Sequence, residues 1–190
     1  PELDALSWPD SFFEVKRAER YGRVEDTPLI MVNTEQDLRA MIDEVKATCI
    51  GKEIAVDLEH HDFRSYRGFV CLLQLSTRQK DFIVDPFDIF EQMHMLNEVF
   101  ADPRIVKVLH GSDRDILWLQ RDFSVYVVNM FDTGQATREL RLPGGFSLAN
   151  LISFCCGLKL DKKYQTADWR ERPLPTEMLL YARSDTHYLL

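Results

Sequence analysis

The segment Ile54–Glu59, which reads Ile-Ala-Val-Asp-Leu-Glu, constrains the fold more than any other part of the chain. It is mostly apolar and follows a Gly-Lys break, a pattern that predicts a short, largely buried β-strand. Because side chains alternate between the two faces of a strand, Asp57 and Glu59 should lie side by side on one face. Ile54, Val56 and Leu58 should point to the opposite face.

Two neighbouring carboxylates on a core strand repel each other and lose hydration, so they need a compensating partner. A divalent cation is one such partner. Mg²⁺ binds few protein carboxylates, keeps several waters and shares phosphate oxygens, which suits an Asp-x-Glu pair. In the alternative interpretation, the strand ends in solvent at this point and both acids are exposed. The motif alone does not decide between the two.

Length and composition limit the possible functions. The chain has 190 residues, 45% of them hydrophobic, which is enough to bury the core of one domain. Its net charge of −8 argues against non-specific coating of nucleic acid, but it is compatible with a nuclease whose acids bind metal ions. No apolar run approaches the roughly 20 residues that cross a bilayer, so no membrane partner is expected. The four cysteines lack Cys-x-x-Cys spacing, which argues against a structural zinc site.

The order of the predicted elements indicates the fold class. A helix with apolar residues at 38, 41, 42 and 45 precedes the Asp57 strand, and strands 71–76 and 81–84 follow it as a meander. Strands are then predicted at 105–109 and 125–128, and helices at 90–100, 112–123, 133–140, 147–156 and from 176 to 190. We therefore expect an α/β fold with a mixed sheet flanked by helices, an order that resembles a ribonuclease H-like core.

Residues 1–29 are mixed in charge and show no sustained period, yet they are too apolar for a free tail. We expect an extended arm over 1–29 and one domain over 30–190; a partner-binding segment explains 1–29 equally well. The last helix has no glycine or polar cap near its end, so we expect the chain to stop within it, before a following helical domain.

Two later segments contribute further acids. Tyr181 and Asp185 are four residues apart in the last predicted helix, so they share one helical face. An ordinary hydrogen bond between a tyrosine and an aspartate explains this pair equally well. Asp113 and Asp115 lie in the first turn of another helix, where the helix dipole favours acids without any function. Neither segment alone identifies a site.

Together, these segments resemble the DEDD family of 3′-to-5′ exonucleases, in the subgroup that has a tyrosine in its last motif. Their order is that of the family: Asp57-x-Glu59 on a strand, an aspartate at a helix start, and Tyr181-x-x-x-Asp185 on a late helix. Longer matches resemble the nuclear exosome-associated exoribonucleases related to bacterial ribonuclease D. They lie at 57–61, 64–66, 68–74, 118–120, 126–133, 162–165, 168–170 and 172–174, and the likeness covers roughly residues 28–190.

The resemblance implies an activity and a set of site residues. The family's metal-binding aspartate immediately precedes Ile-x-Trp-Leu-Gln, which selects Asp115 over Asp113. The implied reaction is hydrolysis of single-stranded RNA from its 3′ end to nucleoside 5′-monophosphates, with two divalent cations, Mg²⁺ or Mn²⁺. The implied partners are the nuclear exosome core and its associated cofactors, in the nucleus and enriched in the nucleolus. The expected catalytic residues are Asp57, Glu59, Asp115, Tyr181 and Asp185, and the four carboxylates among them are the expected metal ligands.

Substrate contacts are expected shortly before and within the last motif. Basic residues at 162, 163, 170, 172 and 183 suit phosphates, and aromatic rings can stack on bases. The resemblance adds His60 and Trp118 as contacts to the terminal nucleotide. The competing interpretation is a solvated basic loop with aromatic residues in the core, and Trp169 is assigned to the core. The expected substrate-binding residues are His60, Trp118, Lys162, Lys163, Tyr164 and Arg170.

Two other functions remain open. A DNA 3′-to-5′ exonuclease of the same superfamily would carry the same acids, because a preference for ribose depends on 2′-hydroxyl contacts that the sequence does not reveal. A catalytically silent nucleic-acid-binding scaffold is the third possibility. The presence of all four carboxylates together with Tyr181 argues against it.

Overall fold

A six-stranded mixed sheet with the order β1-β4-β3-β2-β5-β6 carries the fold. The computed structural model describes residues 21–190, so most of the arm predicted over 1–29 lies outside the described residues. The strands are β1 (Leu29–Val32), β2 (Glu53–His61), β3 (Phe69–Ser76), β4 (Asp81–Val84), β5 (Val106–Leu109) and β6 (Met130–Asp132). The α-helices are α1 (Glu35–Thr48), α2 (Asn97–Phe100), α3 (Asp113–Phe123), α4 (Thr133–Glu139), α5 (Leu148–Cys156) and α6 (Thr176–His187), with 3₁₀ turns at Val24–Asp26 and Phe90–Leu96.

The central strands form the predicted meander, since β3 pairs antiparallel with both β2 and β4. The remaining pairs are parallel: β1 with β4, β5 with β2, and β6 with β5. In a mixed sheet of this kind, sites form where the carboxyl ends of parallel strands meet. Here β2, β5 and β6 bring their carboxyl ends to the same edge of the sheet.

The two faces of β2 differ as the sequence alternation predicts. Ile54, Val56 and Leu58 are buried in the main hydrophobic core with side chains from α1 and α3. On the opposite face, a smaller core packs Leu72 and Ile83 against α6. Asp57 and Glu59 therefore point towards the layer that contains α6.

A buried polar cluster fixes α6 to the sheet. Asp81 accepts hydrogen bonds from Arg183 (2.7 Å), Ser76 (2.7 Å) and His187 (3.1 Å), and Arg183 also donates to the Thr27 carbonyl. Burial alone would raise the pKa of Asp81, but the hydrogen bonds from His187, Ser76 and Arg183 lower it. The cluster sets the position of α6 on β4. Arg183 is thus a structural residue, which corrects its assignment to phosphate binding.

The predicted strand at 125–128 is wrong, and the last strand is β6 instead. Ser124 ends α3 in the left-handed region (φ 54°), and the chain then bonds to the first and last residues of α2. The Tyr126 amide donates to the Asn97 side chain (2.9 Å), and the Val128 amide donates to the Phe100 carbonyl (2.9 Å). Because these amides already donate hydrogen bonds to α2, this apolar segment does not join the sheet.

Two helices differ from their predicted extents. The helix predicted over 90–100 is a 3₁₀ helix up to Leu96 and becomes α-helical only at α2. The last helix ends at His187 and not at Leu190. There the Leu189 amide bonds to the Thr186 carbonyl in a tighter turn, and the Tyr188 ring meets Tyr21 edge-on at 5.2 Å. Among residues 21–190, no helix combines the length and apolar character needed to cross a membrane.

Candidate active site

Three carboxylates converge where β2 meets α6. Asp57 and Glu59 share a face of β2, and Asp185 approaches them from α6. One oxygen from each lies within 4.8 Å of the other two. The strand alternation aligns the first two acids, and the Asp81 cluster holds the helix that carries the third.

Among residues 21–190, no basic side chain compensates the charges of these acids. Burial, reinforced for Glu59 and Asp185 by neighbouring acids, raises the pKa of all three carboxyls, that of Asp57 to about 6. Within the described residues, no lysine or arginine forms an ion pair with any of them. Clustered carboxylate oxygens without a basic partner are the donor set that Mg²⁺ or Mn²⁺ prefers. The residues present therefore fit a divalent cation.

Asp115 lies beside this group but not within it. It occupies the first turn of α3, where burial and then the charge of Asp57 raise its pKa to about 8. The loop before α3 is held by Asp132, whose carboxylate accepts hydrogen bonds from the amides of Gly111 (3.0 Å) and Ser112 (2.8 Å). The Ser112 hydroxyl also donates to Asp132 and does not cap α3. Asp132 thereby positions the turn that carries Asp115.

Tyr181 precedes Asp185 by one helical turn and is wedged between aromatic rings. Its ring meets Tyr164 edge-on (centroids 6.0 Å apart) and Trp169 at a tilt (5.9 Å). Burial, followed by the charges of Asp185, Glu59 and Asp57, raises the pKa of Tyr181 far above its ordinary value. The phenol is therefore protonated at neutral pH.

The acids open into a cavity of about 350 Å³. Its walls come from the end of β5, the start of α5 and the segment 160–165, and a second cavity of about 360 Å³ adjoins it at Tyr181 and Asp185. The first cavity is lined by Asp57, Glu59, Tyr181 and Asp185 together with His110, Phe146, Lys162 and Gln165.

A 3′-5′ exonuclease family model matches residues 29–190. The chain belongs to this family. It is 54% identical to the exosome complex component 10 homolog of Caenorhabditis elegans, over 93% of this chain and 20% of that protein. It is 48% identical to the exosome complex exonuclease RRP6 of Saccharomyces cerevisiae, over 100% of this chain and 25% of that protein. The chain thus spans about a fifth to a quarter of the length of these relatives.

Solved structures of exoribonucleases share the fold. The catalytic core of RRP6 from Trypanosoma brucei superposes with a TM-score of 0.90 at 47% identity, over 99% of this chain and 51% of that one. Escherichia coli RNase D gives a TM-score of 0.79 at 27% identity, over 86% of this chain and 42% of that one. These matches confirm the predicted DEDD-family resemblance and the mixed-sheet fold class.

Only some of the residues predicted to contact substrate line the two cavities. Lys162 lines the cavity of the acids, and Lys163 and Tyr164 line the adjoining one, where the Lys163 ammonium donates to the Tyr164 hydroxyl (3.0 Å). The structure does not bring Arg170 to either cavity, because it pairs with Asp168 (2.6 Å). Arg172, also considered for phosphate binding, pairs instead with Asp85 and bonds to the Cys71 carbonyl.

His60 and Trp118 form a stacked pair at the border of the site. Their ring centroids are 3.9 Å apart and their planes differ by 2°. Each ring follows an acid of the candidate site along the chain, His60 directly after Glu59 on β2 and Trp118 one helical turn after Asp115 on α3.

Sequence reasoning missed two polar residues of the site. Gln74 is fully buried directly opposite Asp57 in the β2–β3 ladder, and its amide donates to Glu59 (3.4 Å). His110 lines the cavity and bonds to the Thr133 hydroxyl and the Phe146 carbonyl (2.9 Å each). A signal existed for both: Gln74 is a polar residue in an apolar strand, and His110 directly follows a buried strand.

Proposed function

We propose that this chain is the catalytic domain of a metal-dependent 3′-to-5′ exoribonuclease, which hydrolyses single-stranded RNA from its 3′ end and releases nucleoside 5′-monophosphates. The observation that carries the proposal is the convergence of Asp57, Glu59 and Asp185 within 4.8 Å, in a member of the 3′-5′ exonuclease family. The RRP6 and RNase D matches favour RNA as the substrate.

The acids divide into two ligand sets. Asp57, Glu59 and Asp185 would hold one divalent cation, and Asp57 with Asp115 would hold a second. When bound, Mg²⁺ or Mn²⁺ supplies Lewis-acid chemistry, lowering the pKa of the attacking water and stabilising the leaving oxygen. Gln74 supports the first set, because its amide fixes one oxygen of Glu59 and leaves the other free for a ligand.

Tyr181 orients the attacking water and does not deprotonate it. Its raised pKa keeps the proton on the phenol oxygen at neutral pH, so the hydroxyl acts as a positioned hydrogen-bond partner. The rings of Tyr164 and Trp169 limit the movement of the Tyr181 side chain. This places the hydroxyl at the junction of the two cavities, beside Asp185.

The substrate would lie across the cavity with its 3′ end at the acids. Lys162, exposed on the cavity wall, carries a charge that suits the phosphate, and the His60–Trp118 pair offers a flat surface to the terminal nucleoside. We include Lys163 and Tyr164 as contacts in the adjoining cavity. Arg170 receives less support, because Asp168 already pairs with its guanidinium.

We further propose that the domain comprises residues 30–190, preceded by an arm over 1–29, and that it acts with the nuclear exosome and its cofactors. The start of the family match at residue 29 supports the boundary. The exosome names of the C. elegans and S. cerevisiae relatives support the partner and a nuclear location. Enrichment in the nucleolus follows from the same resemblance.

Digestion of a 5′-labelled single-stranded RNA tests the proposal. With Mg²⁺ or Mn²⁺, the wild-type chain should give a ladder that shortens from the 3′ end, whereas Asp57→Asn should leave the RNA intact. A matching DNA runs in parallel, and preferential shortening of the DNA would identify a DNA exonuclease instead. If folded wild-type protein shortens neither strand, the nuclease proposal is wrong and the scaffold alternative gains support.

A further inference from the structure

The connection between β2 and β3, which begins three residues after Glu59, exposes two aromatic side chains. This β2–β3 loop comprises residues 62–68. Phe63 retains 87% of the solvent-accessible surface of an extended reference residue, and Tyr66 is fully exposed, at 112% of its reference value. Single exposed apolar residues are common on proteins, but two uncovered rings within one short loop indicate a binding surface.

The backbone of the loop explains why these rings face solvent. The Ser65 amide bonds to the Asp62 carbonyl (3.4 Å), and the Gly68 amide bonds to the Ser65 carbonyl (3.2 Å), forming two successive turns. Within the described residues, the exposed side chains of Arg64 and Arg67 form no ion pair. The loop therefore presents two aromatic rings and two uncompensated guanidinium groups.

The base of the loop is fixed to the helix that carries Asp115. Arg121 on α3 donates to the Arg67 carbonyl, and its neighbour Asp122 accepts from the Val70 amide (2.9 Å) at the start of β3. These contacts hold the loop beside the stacked His60 and Trp118 rings. The exposed rings thus extend a surface that already begins next to Glu59 and Asp115.

We propose that the β2–β3 loop binds single-stranded RNA upstream of its two 3′-terminal nucleotides. Phe63 and Tyr66 stack on bases, while Arg64 and Arg67 contact phosphates. The inference rests on the proposed function, because it takes the acids as the position of the 3′ end. It extends the binding surface beyond the residues that surround the acids.

The chemistry of the loop fits a single-stranded nucleic acid better than a protein partner. Binding sites for single strands combine stacking rings with positive charge, and stacking tolerates any base sequence. Because the chain carries a net charge of −8, attraction for a polyanion has to come from local positive groups such as these arginines. The planar guanidinium also matches the geometry of a phosphate.

Equilibrium binding without cleavage tests the proposal. In EDTA, the 190-residue chain is titrated with a 5′-fluorescein-labelled 12-nucleotide oligouridylate, and a diuridylate competes for the same protein. The F63A/Y66A variant should bind the 12-mer at least about fivefold more weakly, the effect of losing one base stack, with unchanged affinity for the dinucleotide. Y126A is the matched control, because Tyr126 is 57% exposed but lies before β6, away from the acids.

A second variant tests the arginines. R64Q/R67Q should reduce the salt dependence of 12-mer binding, by about 0.7 in the slope of log K against log salt for each lost phosphate contact. Unchanged 12-mer affinity in F63A/Y66A, an equal loss in Y126A, or an equal loss for the dinucleotide would each overturn the proposal. Unchanged affinity would favour a protein partner for the exposed rings.

The binding assay separates this inference from the proposed function. EDTA removes divalent cations, so the result does not depend on hydrolysis. If the variants lose 12-mer affinity but the wild-type chain cleaves no RNA with Mg²⁺ or Mn²⁺, the loop is an RNA-binding site and the nuclease proposal fails. If cleavage proceeds and 12-mer binding is unchanged in both variants, the nuclease proposal stands and the loop proposal fails.

Discussion

Gly68 lies so close to His60 that no side chain fits between them. A Cβ atom at position 68 would be 2.0 Å from Cε1 of the His60 ring and 2.7 Å from the His61 carbonyl oxygen. The glycine also has φ +61°, which other residues rarely adopt. Gly68 therefore allows His60 to lie flat against Trp118.

Gly68→Ala should displace His60 and weaken RNA binding. The added methyl group pushes the imidazole off the indole, so we expect a higher KM for RNA with a smaller change in kcat. Gly51→Ala is the control: Gly51 has a similar φ of +73°, but a Cβ atom added there would meet no other atom within 4 Å. Equal KM values in the two variants would show that the stacked pair does not contact substrate.

Burial of the acids predicts how stability depends on pH when no cation is bound. The pKa of Asp115 is raised from its ordinary value to about 8, so its contribution to the free energy of unfolding is complete below about pH 4. That contribution is lost as the pH rises through 8, because the folded protein must then bury a charge. Urea unfolding in EDTA should therefore show falling stability between pH 5 and pH 8.

Asp115→Asn isolates the effect. One pKa unit corresponds to about 1.4 kcal/mol. Between pH 5 and pH 8, the free energy of unfolding should therefore fall by at least about 1.4 kcal/mol less in the variant than in the wild type. Mn²⁺ should stabilise the wild-type chain more at pH 8 than at pH 5, because the cation competes with protons for the carboxylates. Identical pH profiles for the two proteins would contradict the assignment of a raised pKa.

Tyr181→Phe should slow turnover without removing cation binding. Loss of the hydroxyl leaves the acids in place, so we expect kcat to fall about 10- to 100-fold, less than the loss in Asp57→Asn. The increase in melting temperature caused by Mn²⁺ should remain. Tyr126→Phe is the control, because Tyr126 is exposed and lines neither cavity. An equal loss in Tyr181→Phe and Asp57→Asn would assign the tyrosine a larger role than orienting water.

Asp81→Asn should destabilise the fold and loosen α6. The substitution leaves the buried Arg183 guanidinium without its anion, which typically costs about 3 to 5 kcal/mol in the free energy of unfolding. Cation affinity should fall as well, since α6 carries Asp185. Glu98→Gln, which removes a more exposed partner of Arg39 and Lys46, should cost much less. Equal urea midpoints for these variants would rule out the anchoring role of Asp81.

The sequence predicted those features that depend on local spacing. The alternation along β2 placed Asp57 and Glu59 on one face, and the four-residue spacing in α6 aligned Tyr181 with Asp185. The strand predicted at 125–128 was wrong because the amides of this apolar segment bond to Asn97 and Phe100, about 30 residues earlier.

Partners that are distant in sequence could not be read from local patterns. The sequence predicted Arg183 as a phosphate ligand, but in the fold it pairs with Asp81, which is 102 residues away. Gln74 became part of the site only through the antiparallel register that sets it opposite Asp57. Such contacts depend on how the strands and helices assemble, which no single segment encodes.

The most direct test of the central claim is the location of bound Mn²⁺ in a crystal of the wild-type chain with a nucleoside 5′-monophosphate. We expect anomalous difference peaks among the oxygens of Asp57, Glu59 and Asp185, and between Asp57 and Asp115, with the phosphate of the nucleotide at the cations. Peaks elsewhere, or an acid cluster without Mn²⁺ at saturating concentration, would contradict the proposed catalytic site.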